Sequence, residues 1–261
     1  RPKFTVPGSA MAGRVEAVGA NVTMFRIGDE VFGETVNGAF AEYVVVAAAE
    51  IALKPTNLSF EEAAAAPWAV TALQALRDAG RLQAGQRVLI NGASGGVGTW
   101  AVQIAKALGA HVTAVCSTRN VEMVRSIGAD EIIDYTKQDF VDGGARYDLV
   151  FDTVSNRTLA AYRSVLLPTG TYVTIGGGNS SWRWLLRLAR LSILSRFTQQ
   201  RLVSFIVAPN REDLLRVKEL VEARKARPVI ASRYALDEVA EALRQVGEGH
   251  ASGQTIIRIA R

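Results

Sequence analysis

The chain has 261 residues, 49% apolar and 21% charged, with 23 Gly and 7 Pro. These values bound it to one or two globular domains and exclude a disordered, collagen-like or low-complexity protein. The net charge of +5 is mild and accompanies no recognisable nucleic-acid-binding module, so no nucleic-acid partner is expected.

A single cysteine, Cys116, excludes an intrachain disulfide framework. With His111 and His250 it makes only three scattered soft metal ligands, too few for a structural zinc site. No apolar run reaches the roughly 18 residues of a membrane-spanning helix. Arg1-Pro2-Lys3-Phe4 lacks the apolar core and cleavage site of a signal peptide, so the cytosol is the expected location. The chain does not begin with methionine, which fits a fragment or a processed form.

Residues 1–55 read as short strands broken by glycine turns. Val15, Ala17 and Gly19 alternate with Arg14, Glu16 and Val18, Gly28-Asp29 turns before Val31-Phe32, and Tyr43–Val46 is a second extended run. Such spacing predicts a small barrel or sandwich. Ser59 is then an N-cap for a helix with Glu61 and Glu62 in its first turn, and Pro67 interrupts that helix and starts another through Leu76.

From residue 86 strands and helices alternate. Strands are expected at Arg87–Asn91, His111–Cys116, Glu131–Asp134, Tyr147–Asp152 and Thr171–Ile175. Helices are expected over about 97–108, Val121–Ile127 and Thr158–Leu167. That rhythm predicts an α/β fold, a doubly wound parallel sheet with helices on both faces. Helices at about 210–225 and 236–247 and a strand at Thr255–Ile259 close the chain.

The strongest motif is Gly92-Ala93-Ser94-Gly95-Gly96-Val97-Gly98, which follows a strand and opens a helix. It reads A-x-G-x-x-G over Ala93, Gly95 and Gly98, a dinucleotide fingerprint with Ala93 in the first glycine position. Gly95 lets backbone approach a pyrophosphate, Gly98 lets the helix pack on the strand, and the helix N-terminus offers N–H donors. Position 117, nineteen residues past Gly98, is where an NAD site usually carries an acid for the ribose 2′-hydroxyl. Here the run is Cys116-Ser117-Thr118-Arg119-Asn120, with no carboxylate. Hydroxyls and a guanidinium suit a 2′-phosphate, so NADPH is the favoured cofactor.

The stretches PGSAMAGRVEAVGANV (7–22), GDEVFGE (28–34), GAFAEYVVV (38–46), LSFEEAAAAPWAVTALQAL (58–76), GQRVLINGASGGVGTWAVQIAKALGA (85–110), CSTRN (116–120), IGADEIIDY (127–135) and EGHASGQTIIRI (248–259) cover most of the chain. In these it resembles the zinc-independent, quinone-oxidoreductase-like branch of the medium-chain dehydrogenase/reductase superfamily. The resemblance implies a Rossmann domain plus a partial GroES-like β-barrel catalytic domain. It assigns residues 1–70 and 207–261 to the barrel and 71–206 to the NADP-binding domain.

It further implies that Ser94, Gly95, Gly96 and Val97 hold the pyrophosphate. Ser117, Arg119 and Asn120 would meet the 2′-phosphate, and Tyr135 would flank the adenosine end. Thr71 and the Gly176-Gly177 turn would approach the nicotinamide half. The superfamily's zinc enzymes resemble one another in a Gly-His-Glu stretch that here reads Gly8-Ser9-Ala10, and their four-cysteine lobe is missing. The family normally has some 60 residues before Pro7, so the chain as given is expected to be an incomplete barrel. Relatives often have Gly-Lys where Gly253-Gln254 stands. A short-chain dehydrogenase is excluded, because no tyrosine has a lysine four positions later.

Trp182–Val207 departs from the strand–helix rhythm: apolar residues at helical spacing interleave with Arg183, Arg187, Arg190, Arg196 and Arg201. It reads as a cover for a cleft or a seam of a homodimer, ahead of plain surface packing and of membrane contact. The implied activity is hydride transfer from NADPH to a small activated carbonyl, an enone or a quinone, with no catalytic residue assigned. The competing class is a catalytically weak NADPH-binding or partner-binding relative.

Overall fold

The computed structural model describes residues 6–175, 198–249 and 252–259. The chain divides into two compact units, Arg1–Thr71 with Ala208–Arg261, and Ala72–Val207. The first unit opens with an antiparallel sheet of β1 (Ala10–Arg14), β2 (Glu30–Glu34) and β3 (Ile51–Leu53), in that order. Phe25, Val31 and Ile51 form its small buried core.

The alternation expected over Arg14–Gly19 lies just past the strand. β1 lies at Ala10–Arg14, and its register sets Ala10 opposite Glu34. Val15 still exchanges backbone hydrogen bonds with Gly28 and Asp29. Beyond it, residues 16–21 are exposed, so their alternation buries no face. Tyr43–Val46 is likewise not a strand: Tyr43 is 62% and Val45 97% exposed. Alternation marks a strand only where one face is covered.

Ser59 caps α1 (Phe60–Ala65) in a capping box with Glu62, as its spacing predicts, and Pro67 separates it from α2 (Trp68–Gln74). Ala75–Ala79 continues α2 as one π-helical turn.

Glu34 ends β2 half-buried, and burial, with the neighbouring Glu50, raises its carboxyl to about 7. The folded state therefore holds this proton more tightly than the unfolded chain does. Stability falls as pH rises from the ordinary value of 4.5 through about 7, and the cost is complete above that. Glu34→Gln should stabilise the protein at pH 8 by about 1–2 kcal/mol, a figure reduced for partial solvation, and change little at pH 4. Denaturant melts at the two pH values check this; equal gains at both would remove the proton from the account.

The second unit carries a six-stranded, all-parallel sheet. Its strands are β4 (Arg87–Asn91), β5 (His111–Cys116), β6 (Glu131–Asp134), β7 (Tyr147–Asp152), β8 (Leu166–Ile175) and β9 (Arg201–Phe205). They lie in the order β6-β5-β4-β7-β8-β9. Val88, Leu89 and Ile90 have no exposed surface, the pattern of a strand covered on both faces. Crossovers run through α3 (Gly96–Ala107), α4 (Val121–Ser126) and α5 (Leu159–Ser164). The helix expected over Thr158–Leu167 stops at Ser164, because Leu166 already belongs to β8. Arg201–Phe205, expected as the end of an apolar helix, is instead the edge strand β9, paired with Thr171–Ile175. The rest of that arginine-rich run, up to Arg196, lies outside the described residues.

The chain then returns to the first unit through α6 (Arg211–Glu222), β10 (Ile230–Ala235), α7 (Val239–Gly247) and β11 (Gln254–Arg258). β10 and β11 pair in parallel. Side chains tie the returning segment to the N-terminal one. Glu222 accepts from the Thr56 backbone N–H at 3.0 Å, Arg233 pairs with Glu61 at 2.6 Å, and Arg258 pairs with the same carboxylate.

Candidate functional site

In an open parallel sheet, ligands settle beyond the carboxyl ends of the strands where the strand order reverses. Here that point lies between β4, which leads to β5 on one side, and β7, which leads to β8 on the other. The glycine motif follows β4 directly.

Gly92 adopts φ +85°, and a Cβ there would lie 2.6 Å from Val154 Cγ2. The left-handed turn thus falls on Gly92, one residue before the motif's first position. Ala93 instead is fully buried, with its N–H on the Val115 carbonyl. This explains how alanine stands in the first glycine position: its neighbour supplies the conformational freedom. At Gly98 a Cβ would come within 2.9 Å of Ala93 backbone atoms and closer still to the Gly92 carbonyl oxygen. Only glycine lets α3 pack so near the turn.

Gly95 is different. It is the N-cap of α3, with φ −74° and ψ 173°, and a Cβ there would touch only the Gly92 carbonyl oxygen, at 3.4 Å. Side chains of Ser59, Thr158 and Asn210 cap α1, α5 and α6, but α3 has no side-chain cap. The N–H groups of Gly96, Val97 and Gly98 therefore begin the helix without acceptors from its preceding turn. Ser94, Gly95, Gly96 and Val97 are half-buried, leaving this end open to an anionic group. The residues fit a dinucleotide pyrophosphate.

At the end of β5, Ser117 starts a 3-10 turn over Thr118–Asn120. Arg119 is exposed. Asn120 is turned inward, 5% exposed, and its Nδ2 donates to Ser117 Oγ at 3.3 Å. This bond orients the Ser117 hydroxyl. Tyr135 is half exposed just beyond β6, with its N–H on the Cys116 carbonyl.

One acid escaped the sequence reading. Asp134, the last residue of β6, lies opposite Cys116. It accepts from the Thr118 hydroxyl at 2.6 Å, from the Thr136 hydroxyl and backbone N–H, and pairs with Lys137 at 3.3 Å. These donors, the Thr118 hydroxyl foremost, hold its carboxyl well below the usual range. No spacing rule along one strand points to it, because it arrives from the neighbouring strand.

Thr71 is buried on α2, at the boundary between the two units. Gly176 and Gly177 lie outside the described residues. Gln254 is buried at the start of β11, and its Nε2 has no acceptor among the described residues.

Among the described residues, His111 and Cys116 do not come together as zinc ligands. His111 and Cys116 stand at opposite ends of β5, about 16 Å apart at a strand's rise per residue. Burial, with Asp134 beside it, pushes the Cys116 thiol up to about 11, far from a thiolate ligand. Among the described residues no three His, Cys, Asp or Glu side chains gather into a metal-holding group. Metal analysis of the purified protein should find well under one zinc per chain; stoichiometric zinc that resists chelation would overturn this.

Comparison with known proteins bears on the whole arrangement. Residues 1–56 match the family described as alcohol dehydrogenase GroES-like domain, and 127–257 the family described as zinc-binding dehydrogenase. The chain is 36% identical to mouse mitochondrial NAD(P)H oxidoreductase RTN4IP1, over 97% of this chain and 70% of that one. It is 34% identical to tomato 2-methylene-furan-3-one reductase, over 98% of this chain and 64% of that one. The quinone oxidoreductase of Coxiella burnetii superposes with a TM-score of 0.87 at 28% identity, over 99% of this chain and 81% of the other. With its Rossmann sheet, its uncapped glycine-loop helix and these relatives, the chain belongs to the quinone-oxidoreductase-like branch of the medium-chain dehydrogenase/reductase superfamily.

Proposed function

We propose that the protein is an NADPH-dependent reductase acting on a small activated carbonyl, an enone or a quinone. The observation that carries this is the uncapped N-terminus of α3, opening from a glycine turn where the strand order reverses. Gly96, Val97 and Gly98 offer their N–H groups to the pyrophosphate, and Ser94 lies beside them. Arg119 and the Ser117 hydroxyl, oriented by Asn120, meet the 2′-phosphate, while Tyr135 flanks the adenosine. When bound, the cofactor supplies the hydride from its nicotinamide ring. The protein's part is to orient the two reactants and exclude water. Cytosolic location and a homodimer complete the proposal.

The relatives' names support a nicotinamide-dependent reductase and say nothing of NADPH over NADH. Turnover tests the proposal: loss of NADPH absorbance on adding a quinone or an enone, with NADH run in parallel. Tight NADPH binding without turnover of either acceptor class would favour a binding protein instead.

A further inference from the structure

Asp152 ends β7 with no exposed surface, facing the ends of β4 and β8. Its Oδ1 accepts from Asn91 Nδ2 at 3.0 Å and from the backbone N–H groups of Val154 and Ser155 at 3.1 and 2.9 Å. Its Oδ2 accepts from the Tyr172 hydroxyl at 2.6 Å and the Ser155 hydroxyl at 3.3 Å. Among the described residues, these two carboxylate oxygens serve at least five donors, a set only an acceptor-only group satisfies.

The bonds converge on the loop that follows β7. Ser155 sits at φ +60°, a left-handed conformation that is strained for a non-glycine residue, and both its N–H and its hydroxyl are held by Asp152. Thr153 donates its N–H and its hydroxyl to the Asn91 carbonyl at 3.1 and 2.9 Å. Asn91 is the residue immediately before the Gly92 turn. Around the hub, the Tyr162 hydroxyl accepts from Asn91 and donates to Asn156, and its ring stacks on Tyr172 at 4.9 Å. The loop after β4 and the loop after β7 are the two walls of the crevice at the reversal point. Asp152 fastens one to the other.

We infer that Asp152 is a positioning residue for the dinucleotide. It holds Ser155 left-handed and locks the Thr153–Asn156 loop against the glycine turn, so the crevice keeps one width before the cofactor arrives. Asp152 does not itself touch the ligand. This rests on the dinucleotide reading of the site given above.

The test is the Kd for NADPH by calorimetry, at a temperature where circular dichroism shows each variant native. Asp152→Asn keeps the size but turns one oxygen into a donor facing donors, and should weaken binding about tenfold. Adding Ser155→Gly should recover most of that loss, because glycine adopts the left-handed turn without the clamp. A hub that only stabilises the fold would lower the melting temperature and leave both Kd values at wild type. Tyr172→Phe, which removes the hydroxyl bond to Asp152 and keeps the ring, should weaken binding about two- to threefold and serves if Asp152→Asn does not fold. Wild-type affinity in the native variants overturns the inference, as does a loss that Ser155→Gly leaves unrecovered. A wild-type chain that binds neither NADPH nor NADH overturns the dinucleotide reading itself, and the inference with it.

Discussion

Gly95→Asp is expected to weaken NADPH binding by at least about 100-fold while leaving the melting temperature within about 3 °C of wild type. The two halves of that expectation come from different facts. Gly95 has backbone angles open to any residue, and a Cβ there meets only the Gly92 carbonyl oxygen at ordinary contact distance. Aspartate is also among the best N-caps, so its carboxylate would accept from the first-turn N–H groups and stabilise α3 by about 1 kcal/mol. Those are the same N–H groups offered to the pyrophosphate. The variant therefore fills the site with its own anion, withdraws hydrogen bonds worth about 1.5–3 kcal/mol each when made to charge, and adds like-charge repulsion. Gly95→Ala, which adds the methyl alone, should lose far less. Calorimetry with NADPH and a thermal melt decide the matter; unchanged affinity in Gly95→Asp would remove the phosphate role from this loop.

The contrast with Gly98 shows how much of this region the sequence could convey. Both glycines stand in one motif, and their distinct tasks, room for a ligand and room for the helix, follow from their positions in it. The inner strands were equally legible. β4, β5 and β7 lie where their apolar centres point, because strands covered on both faces bury those residues, and the edge strand β6 also lies where it was expected.

Two other elements, β9 and β10, were not. Arg201-Leu202-Val203-Ser204-Phe205 carries an arginine and a serine among its apolar residues, and only its place beside β8 makes it a strand. β10, Ile230-Ala231-Ser232-Arg233-Tyr234-Ala235, has β11 as its one strand neighbour among the described residues, and its mixed run went unread. Within the site, the glycine loop was visible because its rules are local. Asn91 and Asp152 were not, since they meet across 61 residues of chain and acquire their meaning only from the register of β4 on β7. Asp134 was hidden for the same reason, one strand over.

Asp134 sharpens the question of cofactor choice, on which Arg119→Ala is the decisive variant. A carboxylate stands close to where the 2′-phosphate is proposed to bind, which by itself would favour NADH. Its oxygens, however, are already engaged by the Thr118 hydroxyl, by Thr136 and by the Lys137 ammonium, so its charge is shared before any ligand arrives. Arg119 adds a second cation beside Ser117, on the exposed side of the turn. If it pairs with the phosphate, the contact is worth roughly 1.5–3 kcal/mol, so Arg119→Ala should weaken NADPH binding about 10- to 100-fold. NADH has no group at that position and should bind as before. Ser117→Asp should go further and reverse the preference, since a second carboxylate near Asp134 repels the phosphate and accepts from free ribose hydroxyls. Both Kd values are to be measured at fixed ionic strength, because the effect is electrostatic and screened by salt. Equal losses for the two cofactors in Arg119→Ala would mean that the guanidinium only supports the turn. A wild-type protein that prefers NADH would show that Asp134, not Arg119, decides what this end of the sheet accepts.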